Sequence, residues 1–490
     1  MIWSQFPPEI KCMILEALTD DKNCRLSNAA VVSREWQAVI EPHIFAYIRV
    51  TSQRIAQLNA MTLRNRDHVR YIWFCIELER YNCRKCDSLD PRALQTSDSE
   101  NKFILASFQS LFTALNTWEP NGNLTLDISL YSKSDNEHAF KYLTFMPDAT
   151  GHQVEPMSIA GSEEPDKHRW ETTVLGSIPP ERSLERLFGN VWLPIKDERE
   201  CWAQTPMVPA VTRLEMRLQN YRRWETFTVS QILSHLSGLR EFHYEIWMQW
   251  FSEMHESWHE STNIFTALLE LLSATEGLGK LTIFENSNQQ YPLYFLGEGW
   301  PAHAPTIHLS QKLARVNVGV EVLSASFMVD AAEFFSEFST WPNLSHLTLT
   351  SQLLAPTTCP TQIMDLLQAA ESAACYMPKL KMMEIWYGRE GLATLFKYEL
   401  IPGYLRQSVV TWRATWCMSI QPRVIEAWEG VVRSRGGYPG GVDVVYEAVN
   451  EHITSHVDAI VSLKLSETVL RPISLQQIKR EQSFVGSLTV

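Results

Sequence analysis

Two residue patterns in this 490-residue chain could carry chemistry. The first is His255-Glu256-Ser257-Trp258-His259, which reads H-E-x-x-H. On a helix, two histidines four residues apart share one face and can hold zinc, with the glutamate as general base toward a metal-bound water. The surroundings fit that chemistry poorly. Ser252 to Asn263 is polar and lies between a strand and a helix starting near Ile264. Thr262 stands where an extended zinc site places glycine, and Glu270 and Glu276 fall too close to serve as the usual distant third ligand. A solvated helix start is the expectation, and a zinc-dependent hydrolase is the alternative. The second pattern is Cys83-Arg84-Lys85-Cys86, with Cys75 and His68 upstream. A C-x-x-C is half of a four-ligand zinc site, but no second pair follows, so free thiols are expected. No thioredoxin-like βαβ unit surrounds it to support a redox pair.

Other catalytic signatures are missing. Neither a nucleophile elbow nor a phosphate-cradling glycine loop nor a pair of catalytic carboxylates can be read. Gly436-Gly437-Tyr438-Pro439-Gly440-Gly441 lacks the lysine of a P-loop and reads as a turn before a strand from Val442 to Tyr446. Trp412, Trp416 and Trp428, three of the 17 tryptophans, lie in apolar segments and read as core. The expectation is therefore a protein that is not an enzyme, with no catalytic residues, no metal and no cofactor.

Composition narrows the class. The formal net charge of −13 argues against a general nucleic-acid binder, which needs a basic footprint. No apolar run approaches the roughly 20 residues that span a bilayer, and the first residues do not read as a secretory signal. Nine cysteines without a dense framework suit a reducing compartment, cytoplasmic or nuclear. Partners are then expected to be proteins, with no nucleic acid and no membrane.

The elements follow from periodicity. Thr51 or Ser52 can cap a helix carrying Ile55, Leu58, Met61 and Leu63, so 49–68 reads as a linker helix. Val69 to Leu78 reads as a buried strand, Phe103 to Leu115 as a helix, and Leu124 to Leu130, alternating strictly, as a half-buried strand. A recurring signature then appears at Val211-x-x-Leu214-x-Met216, Leu239-x-x-Phe242-x-Tyr244, Leu278-x-x-Leu281-x-Ile283, Leu313-x-x-Val316-x-Val318, Leu344-x-x-Leu347-x-Leu349 and Leu380-x-x-Met383-x-Ile385. These starts lie roughly 28 to 39 residues apart, a repeat-like period. Helices are expected between them at Ile264–Ala274, Val329–Phe338 and Ile363–Cys375. A polar, proline-bearing stretch, 146–184, reads as a disordered insertion. Ser287 to Pro305, an aromatic-bearing loop, reads as pinned to the body, and the tail from 476 to 490 as frayed.

The N-terminus is organised differently. Pro7 and Pro8 suit a helix start. Ile10, Ile14, Ala17 and Leu18 follow at helical spacing, a second short helix carries Leu26, Ala29 and Ala30, and a third presents Trp36, Val39 and Ile40. Three helices in so short a segment bury little alone, so an exposed apolar face for a partner is expected.

The run Phe6-Pro7-Pro8-Glu9-Ile10, then Ile14-Leu15 and Leu18, Val31-Val32-Ser33-Arg34-Glu35-Trp36 and Ile44-Phe45 resembles an F-box, here residues 1–48. Phe6 stands where that family usually has leucine. The resemblance implies docking on the Skp adaptor of cullin–RING ubiquitin ligases through Phe6, Pro7, Ile10, Ile14, Leu15, Leu18, Val32, Trp36 and Phe45. Some of these must build the module's own core, and the sequence does not sort them. The repeating unit over 69–475 resembles the irregular leucine-rich repeats of many F-box proteins, although only Asn286 occupies the ladder position; Gln219, Trp247, Gln352 and Gly388 stand there elsewhere. A non-repetitive domain is the other reading, and both give an α/β fold with mostly parallel strands. The whole is similar to the divergent F-box proteins of filamentous fungi. That likeness implies a substrate-recognition subunit that holds an unknown protein substrate, or a scaffold that uses Skp binding outside ubiquitination.

Overall fold

The computed structural model describes residues 3–21, 24–86, 96–135, 144–148, 157–158, 186–191, 193–248, 268–273, 275, 277–286, 307–316, 319–401, 408–435, 441–466 and 469–486. Its centre is a twelve-stranded sheet. Strands β1 (Tyr47–Thr51), β2 (Tyr71–Leu78), β3 (Leu124–Ser132), β4 (Val211–Met216), β5 (Glu241–Trp247) and β6 (Lys280–Asn286) form one half. Strands β7 (Val322–Asp330), β8 (His346–Thr350), β9 (Met382–Arg389), β10 (Leu392–Leu400), β11 (Ser408–Ala414) and β12 (Val442–Ala448) form the other. The strands lie side by side in chain order, each beside its predecessor. Pairing is parallel from β1 to β9, antiparallel for β9–β10 and β10–β11, and parallel again for β11–β12. The fold is thus α/β with a large, mostly parallel sheet.

The antiparallel step comes from a two-residue turn, Glu390-Gly391. Gly391 has φ +72°, which a side-chain-bearing residue adopts only with strain. Elsewhere a parallel neighbour needs a crossover, and helices supply it. These are α4 (Ile55–Thr62), α5 (Asp98–Leu115), α6 (Ile195–Gln204), α7 (Thr226–His235), α8 (Ile307–Arg315), α9 (Ala331–Phe335), α10 (Pro360–Ala374) and α11 (Pro422–Ser434). Their starts are chemically marked. Ser97 and Glu100 form a reciprocal capping box on α5, and Pro360 and Pro422 sit in the first turns of α10 and α11. These helices share one apolar core with alternate strand residues such as Phe74, Leu126, Leu214, Ile283, Leu347 and Ile385. Trp412 and Trp428 are buried in that core, as read from sequence, and Trp416 packs at its edge.

The opposite face of the sheet is also covered. Helices α12 (His456–Ser462) and α13 (Pro472–Gly486) return to it, α12 packing on β9 and β10. A second apolar cluster forms beneath them, including Phe284, Phe327, Trp386, Leu463 and Ile478. Two expectations change. The strand holding Leu124 to Leu130, expected to be half-buried, is buried at all nine positions, with Arg217 on Asp127 and Phe145 on Tyr131 covering its second face. The expected frayed tail from 476 holds helix up to Gly486, with Ile478 and Glu481 buried.

Five of the six recurring signatures fall on strands, namely β4, β5, β6, β8 and β9. The sixth, at Leu313, does not: Leu313 lies in α8, and the strand is Val322–Asp330. Leu309, Leu313 and Ala314 are buried at helical spacing there, and a short apolar run fits either period. Val329 and Asp330, expected to begin a helix, end β7 before α9. Asn286 is fully buried, yet neither side-chain polar atom is hydrogen-bonded, so it forms no ladder. Residues 49–68 hold the end of β1 as well as α4, and α4 sends Ile55 and Leu58 into the main core. The loop 287–305 and most of 146–184 lie outside the described residues. Among the described residues, no helix is long and apolar enough to cross a membrane.

Candidate functional site

Residues 8–45 form three short helices, α1 (Pro8–Asp20), α2 (Leu26–Ala30) and α3 (Arg34–Phe45). Pro8 opens α1, and the Ser33 hydroxyl caps α3 by accepting from the Trp36 backbone N–H. Helix α3 packs against both others. Leu15, Ala29, Ala30 and Ile40 form a small core, with Leu18, Trp36 and Ile44 against it. An aromatic clasp closes the open end. Trp3 stands 5.2 Å from Trp36 and 6.4 Å from Phe6, and its indole N–H donates to Glu35. Lys11 pairs with Glu35 at 3.1 Å, and these two partners hold the Glu35 carboxyl below its ordinary range.

The nine residues read as adaptor contacts therefore divide. Leu15 is fully buried, while Leu18, Trp36 and Phe6 are half-buried supports of the module. Phe45 packs on the sheet core and ties the module to the body. Pro7, Ile10, Ile14 and Val32 face outward, with Ile10 40 %, Ile14 36 % and Val32 61 % exposed. Met13 and Val31 join them at 63 % and 82 %. Helix α1 is thus apolar on two sides. Lys11, Leu15 and Leu18 turn inward, and Ile10, Met13 and Ile14 turn out at i, i+3 and i+4 spacing. An ordinary surface helix would keep the second side polar. Met13 belongs to the same outward stripe by its i, i+3 spacing from Ile10.

A second constellation, unforeseen in the sequence, lies on the face of the sheet opposite the crossover helices. Across β3 to β5, the side chains of Asp127, Glu215, Arg217, His243 and Glu245 are buried together. Arg217 pairs with Asp127, and the Tyr71 hydroxyl donates to the same carboxylate at 2.5 Å. Arg471, at the approach to α13, pairs with Asp148 and comes within 3.3 Å of Glu215. Glu245 accepts from the Arg471 backbone N–H, the Ser474 hydroxyl and His243. Burial dominates the titration here. It pushes the Glu215 carboxyl up to about 7 despite Arg471, and it raises Asp127 against the pull of Arg217. His243 is held down by burial although Glu245 accepts from it, while Glu245 stays below its usual range through that bond and Ser474. Beside this network, Arg222 grips Asp135 through two bonds of 2.7 Å.

A cleft of about 500 Å³ opens over the starts of β1 to β5. Tyr47, Tyr71, Thr125, Arg213 and Glu241 are register partners across these strands and form its floor. Tyr47 and Tyr71 stack at 5.3 Å, and Arg213 holds Glu241 bidentately at 2.8 and 2.9 Å. Asp148, Glu215 and Arg471 form the inner wall, and Arg70 and Arg240 stand at the rim.

Two sequence patterns carry metal-binding potential. His255-Glu256-Ser257-Trp258-His259 lies outside the described residues. Cys83–Cys86 forms one helical turn. Among the described residues, no group of three or more His, Cys, Asp or Glu could hold a metal ion. Cys75 lies fully buried in β2, where burial pushes its thiol up to about 12 and so keeps it protonated.

No curated protein matches the chain. A model of a family of unknown function (DUF6546) matches residues 273–471, a span that contains strands β6 to β12 and α12 and ends at Arg471.

Proposed function

We propose that the protein is a substrate-recognition subunit of a Skp–cullin–F-box ubiquitin ligase, in which residues 1–48 dock on the Skp adaptor and the α/β body holds a protein substrate. The observation that carries this reading is the two-sided helix α1. Ile10, Met13 and Ile14 remain outward while Leu15 and Leu18 already complete the module's own core. Exposed aliphatic side chains at i, i+3 and i+4 are the pattern by which a helix presents itself to a groove. Val31 and Val32, exposed in the turn before α3, extend the apolar area.

The strands laid down in chain order favour an open, irregular leucine-rich-repeat-like array as the substrate-binding body. Phe45 and β1, immediately after α3, fix the module to that body, so a substrate would be held at a set position relative to the ligase. On this reading the protein performs no catalysis and works in the cytoplasm or nucleus.

The test is co-purification of the full chain with its host's Skp adaptor, beside a Pro7→Ala, Ile14→Asp variant. Both residues are exposed, so the variant should fold. Stoichiometric capture by the wild type, lost in the variant, is the expected result. A folded wild type that captures no adaptor would overturn the reading.

A further inference from the structure

We propose that the cleft over β1–β5 binds an extended acidic peptide segment, gripped at two points by Arg70 and Arg240. This deepens the receptor reading by naming the substrate chemistry, and it rests on that reading only for its biological role.

Four arginines and three carboxylates line the cleft. Two of the arginines are neutralised in place, Arg213 by Glu241 and Arg471 by Asp148. Arg70 and Arg240 differ. Arg70 donates only to the backbone carbonyls of Asp67 and Val69, and the Arg240 side chain has no hydrogen bond or ion pair among the described residues. Both are exposed at the rim, and neither is paired with a carboxylate among the described residues, so each is placed to meet an anionic ligand.

The register fixes their separation. Arg70 precedes Tyr71 of β2, and Arg240 precedes Glu241 of β5, and these two residues lie on one row through Thr125 and Arg213. Three strand spacings of about 4.8 Å separate them, or about 14 Å along the cleft. A single carboxylate or phosphate is too small to span that length unless both side chains fold inward. An extended peptide advances about 3.3 Å per residue, so acidic side chains four residues apart match the spacing and point to the same side. At and just beyond the Arg70 point, stacked Tyr47 and Tyr71 extend the floor with an amphipathic surface. Glu215, buried in the wall, faces the Arg471 guanidinium at 3.3 Å, so its charge is compensated inside the protein.

The experiment is a fluorescence-anisotropy titration of the full chain with labelled hexaglutamate at low salt. Hexa-alanine, free glutamate and inorganic phosphate serve as competitors, and adaptor capture is measured on the same preparation. The proposal expects saturable binding, displaced by none of the three at equal concentration. Arg70→Ala and Arg240→Ala should each weaken it by at least about fivefold, and the double variant should abolish it. Both residues are exposed, so folding is preserved. No binding of hexaglutamate, equal binding by the double variant, or equal competition by free glutamate or phosphate overturns the two-point site. Adaptor capture that persists in any of those cases leaves the docking reading standing. Peptide binding without adaptor capture leaves the cleft and removes the ligase.

Discussion

Asp127 and Arg217 illustrate how charge is kept inside this protein. Both are excluded from water, and each is tolerable only because the other is present. Removing one partner leaves a buried, uncompensated charge. Arg217→Met should therefore cost about 3–5 kcal/mol of unfolding free energy. The Asp127→Asn, Arg217→Met double variant should recover much of that loss in a chemical denaturation series. Equal losses in single and double variants would show that the pair is not coupled. Glu215 makes the complementary case, because burial has raised its pKa to about 7 from an ordinary 4.5. The folded chain then binds a proton more tightly than the unfolded one between those two values. Stability from this group is complete below about pH 4.5 and declines as pH rises through 7, by on the order of 3 kcal/mol. Glu215→Gln should flatten the pH dependence of stability between 5 and 8 and leave the variant more stable than wild type at pH 8. A parallel pH profile for the two proteins would contradict the assignment.

The elements tell where sequence was sufficient. Strands such as Val211–Met216 and Met382–Arg389 were legible because their apolar residues alternate, and α10 because Ile363, Leu366, Leu367 and Ala370 recur at helical spacing. The segment around Leu313 was misread because six residues fit both periods. The buried polar network was illegible for a different reason. In Leu124-Thr-Leu-Asp-Ile-Ser-Leu130, alternating polar residues signal a solvated face, and nothing local announces that Arg217 and Phe145 will cover it, or that the C-terminal helices will return to β5, β9 and β10. That covering is itself testable. Helix α12 approaches β9 so closely that a Cβ on Gly388 would lie 2.4 Å from the Ala459 Cβ. Gly388→Ala should lower stability by about 1–3 kcal/mol through overpacking. Increased amide exchange should be confined first to 455–486. Unchanged exchange there would mean that α12 does not rest on Gly388.

At the scale of the molecule, the chain has two kinds of surface. The body packs apolar side chains on both faces of its sheet, one set under the crossover helices and another, from β5 to β10, under its own C-terminal segment. The N-terminal module buries only a handful of side chains and leaves five large aliphatic ones exposed on α1 and in the turn before α3. On the docking reading, a partner would cover that exposed surface. The most direct test is the dissociation constant of the purified Skp adaptor for the full chain and for its Ile14→Asp variant, with thermal melting of both. Docking through α1 predicts tight one-to-one binding, weakened by about 2–4 kcal/mol in the variant with an unchanged melting temperature. Absent binding, or equal binding by a folded Ile14→Asp protein, would contradict it.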